Sequence, residues 1–253
     1  MTLLVALKGA DGLVMASDSR GTFGDPRGVT AQNDSQKKAF ILTNHTAALL
    51  AGSGELGANV VREAQTRIKA HAVEGVTQVQ EVFRTTVREL YGAWFPHLQP
   101  AVPPGMPAIA RPDLAIIIGG YDASEGGAYD QGRMYQLVSA LDFPPMLHEY
   151  GFALAGIAQY ALYLLNRLYE PQRALEELTA LAVYVITETA SQDGKVGGPI
   201  QVLTVQPDAG CTELSETAVQ EVLVLNEGRS RSLKDSFYRR AVKPAKMKEG
   251  ENK

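Results

Sequence analysis

The chain of 253 residues has one cysteine, one tryptophan and four histidines. A lone Cys211 excludes an intramolecular disulfide framework and fits a reducing cytoplasm. The histidines (His45, His71, His97, His148) are scattered with none at ligand spacing, so the sequence offers no zinc motif and implies no metal or other cofactor. No apolar run approaches the roughly 18 residues that a membrane span needs, and no basic segment leads into an apolar one as in a secretory signal. Membrane partners are therefore not expected. Nor is a nucleic acid: the net charge is −4, and few aromatics interleave with the basic residues. With 45% hydrophobic and 21% charged residues, the composition is that of a globular chain able to bury a sizeable core.

The charge is unevenly spread. Residues 228–253 hold nine Lys/Arg against three acids, so a +6 tail follows a body of −10. Such a tail suits docking on an acidic neighbour, such as another copy of the chain. The expected organisation is one domain over 1–227 and a basic C-terminal extension over 228–253. Five prolines between Pro100 and Pro112 mark a long loop, suited to an interface.

The first residues carry the most information. "TLLVALKGADGLVMAS" reads as two apolar strands around a Gly/Asp turn, a β-hairpin that begins at once. A Gly/Pro/Asn/Asp-rich stretch, 21–34, reads as a loop, and strands at 38–43 and 46–51 follow. Helical spacing covers about 55–71 and 77–95, then strands 114–119, 134–139 and 152–155, helices 157–169 and 172–191, strand 200–205 and a last helix at 215–225. A Gly-rich turn at 125–127 joins two of those strands. Sequential hairpins mean antiparallel sheet, and helices in pairs suggest layers over two stacked sheets: an α+β, four-layer αββα sandwich. "AGSGELG" has the form Gly52-x-Gly54-x-x-Gly57, yet a second helix stands where a dinucleotide-binding unit needs a parallel strand ending in an acid.

Removal of Met1 would leave Thr2 with a nucleophilic Oγ beside its own α-amine, a base with an ordinary pKa of about 7.7–8.0. The expectation is that the mature chain begins at Thr2, with no propeptide. Such a site needs a cation to favour the deprotonated state and an anion to hold that cation. Asp18, at the end of the hairpin, and Lys37 or Lys38 are available; alternation alone does not choose between the lysines. The Gly52-Ser53-Gly54 turn can supply a backbone donor to an oxyanion.

"TLLVALKGADGLVMASDSRGT", "SQKKAFIL" and "LLAGSGELG" resemble the β subunits of the 20S proteasome and their smaller bacterial homologues, which are N-terminal-nucleophile hydrolases. The resemblance continues at "FALAGIAQYALYLLNRLYEP" and "ASQDGKVGG". It implies an αββα sandwich, a homo-oligomeric ring or two stacked rings, and peptide-bond cleavage by the N-terminal threonine of a polypeptide or peptide substrate. It also implies roles: Thr2 nucleophile, Asp18 the acid orienting Lys38, Gly52 the oxyanion donor, and Asp193 a support from the last helix–strand turn. Gly21 and Thr22 would bind substrate backbone, with Leu50 and Gly54 near the side-chain pocket. Two family serines are missing, one where Gly156 (or Ala155) stands and one at Val196. Restoring both hydroxyls is expected to raise a slow rate, with Ser191 beside Asp193 as another candidate to orient the amine. Two other functions fit the same residues: an amidase acting on small molecules, and a catalytically weak ring scaffold or binding chamber.

Overall fold

A computed structural model of the chain describes residues 2–25, 28–98, 111–123, 129 and 131–239. Three hairpins come first: β1 (Leu3–Lys8) with β2 (Leu13–Ser17), β3 (Gly21–Asp25) with β4 (Gly28–Asn33), and β5 (Ala39–Thr43) with β6 (Thr46–Gly52). Helices α1 (Gly54–Ala70) and α2 (Val76–Trp94) follow, then β7 (Leu114–Gly120), β8 (Arg133–Val138), the two-residue β9 (Met146–Leu147) and β10 (Phe152–Gly156). Next come α3 (Gln159–Leu168), α4 (Leu175–Gln192), β11 (Gln201–Gln206), β12 (Gly210–Glu213) and α5 (Glu216–Arg239).

The strands form two five-stranded sheets, in the orders β10-β1-β2-β11-β12 and β5-β6-β7-β8-β9, with β3-β4 as a separate ribbon. Each strand pair in the two sheets is antiparallel. The sandwich follows from which side chains alternate to which face. On β1, Leu3, Val5 and Leu7 point to α3 and α4, where they join Leu165, Val183 and Ile186. Leu4 and Ala6 point the other way and meet Ala47, Leu49 and Ile117 of the second sheet. On the far side of that sheet Leu50, Ile116 and Ile118 pack on Val60, Ile68, Phe83 and Val87 of α1 and α2. Three apolar layers between four structural ones are the αββα sandwich expected from the sequence. A strand buried on both faces needs an unbroken apolar run, which is why β1 reads "LLVAL" with no alternation.

Two expectations change. The stretch 21–34 is largely a hairpin, β3-β4, with a register shift between Phe23 and Gly24. Its glycines and aspartates hid a pattern of only a few β-formers. The last helix runs to Arg239 rather than 225, through the boundary expected at 227. Gly228 reads as a stop, but Asn226 anchors the helix by donating to Ala180 O on α4, and Glu227 pairs with Arg231 one turn on. The prolines from Pro100 to Pro107, the 125–127 turn and residues 240–253 of the basic tail lie outside the described residues.

Candidate active site

Thr2 sits at the mouth of the inter-sheet layer. It precedes β1 on the face of Leu4 and Ala6, and its carbonyl accepts Ile157 N at 2.8 Å just beyond β10. It is 4% exposed, between two clefts. One is lined by Gln36, Phe40, Leu50 and Gly54, the other by Asp113, Ser139, Gly156 and Ile157; Gly52 borders both.

Asp18 ends β2 fully buried, so its charge must be compensated. Four donors do this. Oδ1 accepts Leu3 N and Lys38 Nζ, each at 3.0 Å, and Oδ2 accepts Gly197 N at 3.1 Å and Arg20 N at 3.2 Å. Lys38, 3% exposed, gives a second proton to Arg20 O at 2.7 Å. Burial pulls the Lys38 ammonium below its ordinary pKa, and the Asp18 carboxylate opposes that shift only in part. Lys37 lies outside this cluster, its Nζ 3.9 Å from Glu213 and 5.8 Å from the centre of the Phe40 ring.

Gly52 has φ +108°, and a Cβ there would come within 2.2 Å of Asp113 O, so only glycine fits. Leu50 and Gly54 flank the first cleft, where the Gln36 amide lies over Gly54 at the place a side chain would take. Gly21 and Thr22 open β3, and Gly21 also faces the Gln36 amide. Asp193 is placed less directly. It caps α4, and its Oδ1 accepts Lys195 N at 2.9 Å while its carbonyl accepts Val196 N at 3.0 Å. That turn presents Gly197, whose N–H reaches Asp18 and whose carbonyl accepts Ser19 N and Arg20 N. The exposed Ser191 hydroxyl donates to Glu188 O.

Hydroxyls at both positions meet a geometric bar. At Gly156, φ is +85° and a Cβ would lie 1.8 Å from Thr2 O, so no serine can stand there without moving Thr2. Val196 is 1% exposed in the apolar layer between the first sheet and its helices, where a hydroxyl would lose its water. Glycine at 156 and an apolar side chain at 196 are thus built into the packing.

Three parts of the site had no signal in the sequence. Arg20 contributes its backbone carbonyl, and its guanidinium grips Asp34 (2.7 and 2.8 Å) and Gly194 O (3.0 Å). The Arg20 hydrogen bonds hold the Asp34 carboxyl below the ordinary range. Gly197 acts through its N–H, and Gln201 through an amide aimed at the other sheet. Burial pushes the Cys211 thiol up to about 12, so it remains protonated at neutral pH. Among the described residues no group of three His, Cys, Asp or Glu is placed to hold a metal, and no helix is long and apolar enough to cross a membrane.

Two antiparallel sheets between helix pairs, with a threonine leading the first central strand, define the fold class: that of the N-terminal-nucleophile hydrolases. Comparison with known proteins finds likenesses to proteasome subunits and to Anbu. A family model described as "Proteasome subunit" matches residues 2–102. Proteasome subunit beta of Mycobacterium avium is 27% identical over 243 residues, covering 93% of this chain and 75% of that protein. The Rhodococcus erythropolis subunit is 27% identical over 231 residues, covering 87% and 73%. Among solved structures, the Anbu complex from Pseudomonas aeruginosa, described as a helical assembly, matches with TM-score 0.73 at 20% identity over 96% of this chain and 98% of that one. Anbu from Yersinia bercovieri, described as an ancestral beta-subunit, matches with TM-score 0.72 at 16% identity, covering 94% and 97%. The family model thus covers the first part of the chain, and the likeness over the remainder is one of low sequence identity and shared fold.

Proposed function

We propose that this chain is a cytoplasmic threonine peptidase acting inside a homo-oligomeric ring, possessing as its working group the Thr2 exposed by loss of Met1. One observation carries the reading: a buried Lys38–Asp18 ion pair borders the cleft that Thr2 lines. A fold does not need a desolvated lysine at a cleft wall, where a buried ion pair adds little stability, and this favours a chemical role for it.

In the proposed reaction the Thr2 Oγ adds to the scissile carbonyl carbon while its proton passes to the Thr2 α-amine. The carbonyl oxygen becomes an oxyanion at the Gly52 N–H. The C–N bond then breaks, the leaving amine takes the proton, and an ester joins Thr2 to the acyl half. Water, deprotonated by the same amine, hydrolyses that ester. Lys38 makes the deprotonated oxygen less costly by its charge, and Asp18 fixes the ammonium. The Anbu and proteasome likenesses support assembly, with the α5 tail reaching a neighbouring copy.

The test is an intact mass with and without a threonine-directed β-lactone or epoxyketone, beside turnover of a fluorogenic peptide panel. Met1 absent, one adduct per chain on Thr2, and no turnover by Thr2→Ala would support the reading; retained Met1 on most molecules would overturn it. The Gln36 amide narrowing the first cleft favours, as a second reading, an amidase for small acyl groups. Small acyl-amides in the same panel separate the two.

A further inference from the structure

Lys38 faces a structural difficulty. Its ammonium must meet Asp18 of the first sheet, but its backbone leads into β5, the outer strand of the second. Among the described residues no ladder pairs a strand of one sheet with a strand of the other; apolar packing between Leu4, Met15, Leu49 and Ile117 joins them, with a few single hydrogen bonds such as Cys211 N to Asn44 O at the far end of β5 and Gln36 N to Ser19 O before it. Apolar packing is non-directional and does not by itself fix a backbone to a fraction of an ångström. On one side Lys38 O accepts Leu50 N from β6 at 2.9 Å. On its other side β5 has no neighbouring strand, so the N–H groups entering it need a different partner.

Gln201 is that partner. It opens β11, opposite Ser17 on β2, one residue from Asp18. Its Oε1 accepts Lys38 N at 2.9 Å and Ala39 N at 3.1 Å, and its Nε2 donates to Gln36 O at 2.7 Å. The side-chain amide imitates a peptide unit and pairs with 36–39 as a missing strand would. Both acceptor sites of Oε1 are filled, and the partners dictate which end is oxygen.

We infer that Gln201 is a positioning residue for Lys38, a clamp that ties the lysine's backbone to the sheet carrying Asp18. This deepens the peptidase reading and rests on it for its kinetic consequence, though the clamp has a consequence of its own. Gln201 touches no reacting atom in the proposed chemistry. Without it, residues 36–39 lose three hydrogen bonds, the ammonium drifts from Asp18, and Thr2 loses a fixed positive charge.

The experiment uses the full assembled chain with Gln201→Met, which keeps the length and removes every hydrogen bond, and Gln201→Glu, which keeps both acceptors. The first readout needs no activity: labelling by an amine-reactive ester, quantified by mass spectrometry at each lysine. Lys38 should be protected in the wild type and label at least about tenfold faster in Gln201→Met, with Gln201→Glu between them and Lys37 unchanged in all three. The second readout is turnover. On a peptide whose acyl-side residue is small, and so indifferent to the Gln36 amide, Gln201→Met should lower kcat by about tenfold or more with KM held, as small misplacements of catalytic groups do. Added to Lys38→Ala, it should lower kcat no further, because it acts through the group already gone. Unchanged Lys38 protection in Gln201→Met, or a further rate loss in the Lys38→Ala background, would overturn the inference. If the wild type turned over no substrate, the peptidase reading would fall while labelling alone decided the clamp. Should Gln201→Met not fold, Gln201→Glu makes the same comparison through its lost Gln36 bond.

Discussion

Removing either partner of the Lys38–Asp18 pair should abolish activity alike but damage stability unequally. Asp18 accepts three backbone N–H groups besides the ammonium. Lys38→Ala leaves those three in place, so the buried carboxylate keeps most of its solvation. The loss is then close to one charge-assisted hydrogen bond, about 2–3 kcal/mol, and not the full penalty of an uncompensated charge. Asp18→Ala leaves the Leu3 and Gly197 N–H groups without a partner, Arg20 N keeping Gly197 O, and the ammonium with only Arg20 O. At roughly 1 kcal/mol or more for each orphaned donor, plus the stranded lysine, about 4–5 kcal/mol is expected. For a chain this long, each kcal/mol is worth about 2–4 °C, so Lys38→Ala should melt roughly 5–10 °C lower and Asp18→Ala roughly 10–20 °C lower. Lys37→Ala, in a loose exposed pair, should shift stability by less than about 0.5 kcal/mol and keep most activity. The assay is thermal unfolding at one chain concentration, since assembly contributes to stability, beside peptide turnover. Both site variants should lose about 10²-fold or more in kcat. Equal destabilisation by the two would mean that the backbone donors do not carry the carboxylate, and the argument would fail.

Other outcomes follow from the same geometry. Gly156→Ala should cost both folding yield and activity, because φ +85° and a Cβ at 1.8 Å from Thr2 O displace the nucleophile; Gly194→Ala, with open space at its Cβ, serves as control in the same expression and turnover assay. Gln36→Ala should open the first cleft and raise kcat/KM for bulkier side chains on the acyl side, read from the ratio of large to small residues in a peptide panel. The lowered Lys38 pKa should place an alkaline limb in the rate profile below pH 10.5, the ordinary lysine value. Between the folded pKa and 10.5 the unfolded chain binds more protons, so the Lys38 contribution to stability rises with pH where activity falls, a slope missing in Lys38→Met. Deleting residues from 228 onward should loosen the assembly; an unchanged mass by light scattering at moderate salt would remove the tail from the interface.

The difference between what was legible in the sequence and what was not has a physical basis. Asp18, Lys38 and Gly52 could be read because each closes or opens a short apolar strand, and a strand pattern locates its own ends. The sandwich could be read for a similar reason: a β1 buried on both faces and helices in pairs leave few ways to cover two sheets. The 21–34 hairpin escaped because a ribbon outside both sheets needs no apolar face. The far half of helix α5 escaped because one buried hydrogen bond from Asn226, and not periodicity, carries it past Gly228. The unread parts of the site share one property. Arg20 and Gly197 act through backbone groups, which every residue possesses, and Gln201 acts across a gap between sheets that no local spacing records. Gln36 belongs with them: its carbonyl is held by Gln201, its N–H by Ser19 O, and its amide crowds the cleft over Gly54. One three-residue lead-in to β5 therefore sets two things at once, where the lysine's charge stands and how much room an acyl side chain has. A substitution at Gln201 that releases this segment should thus change substrate preference together with rate, whereas Gln36→Ala should change preference alone.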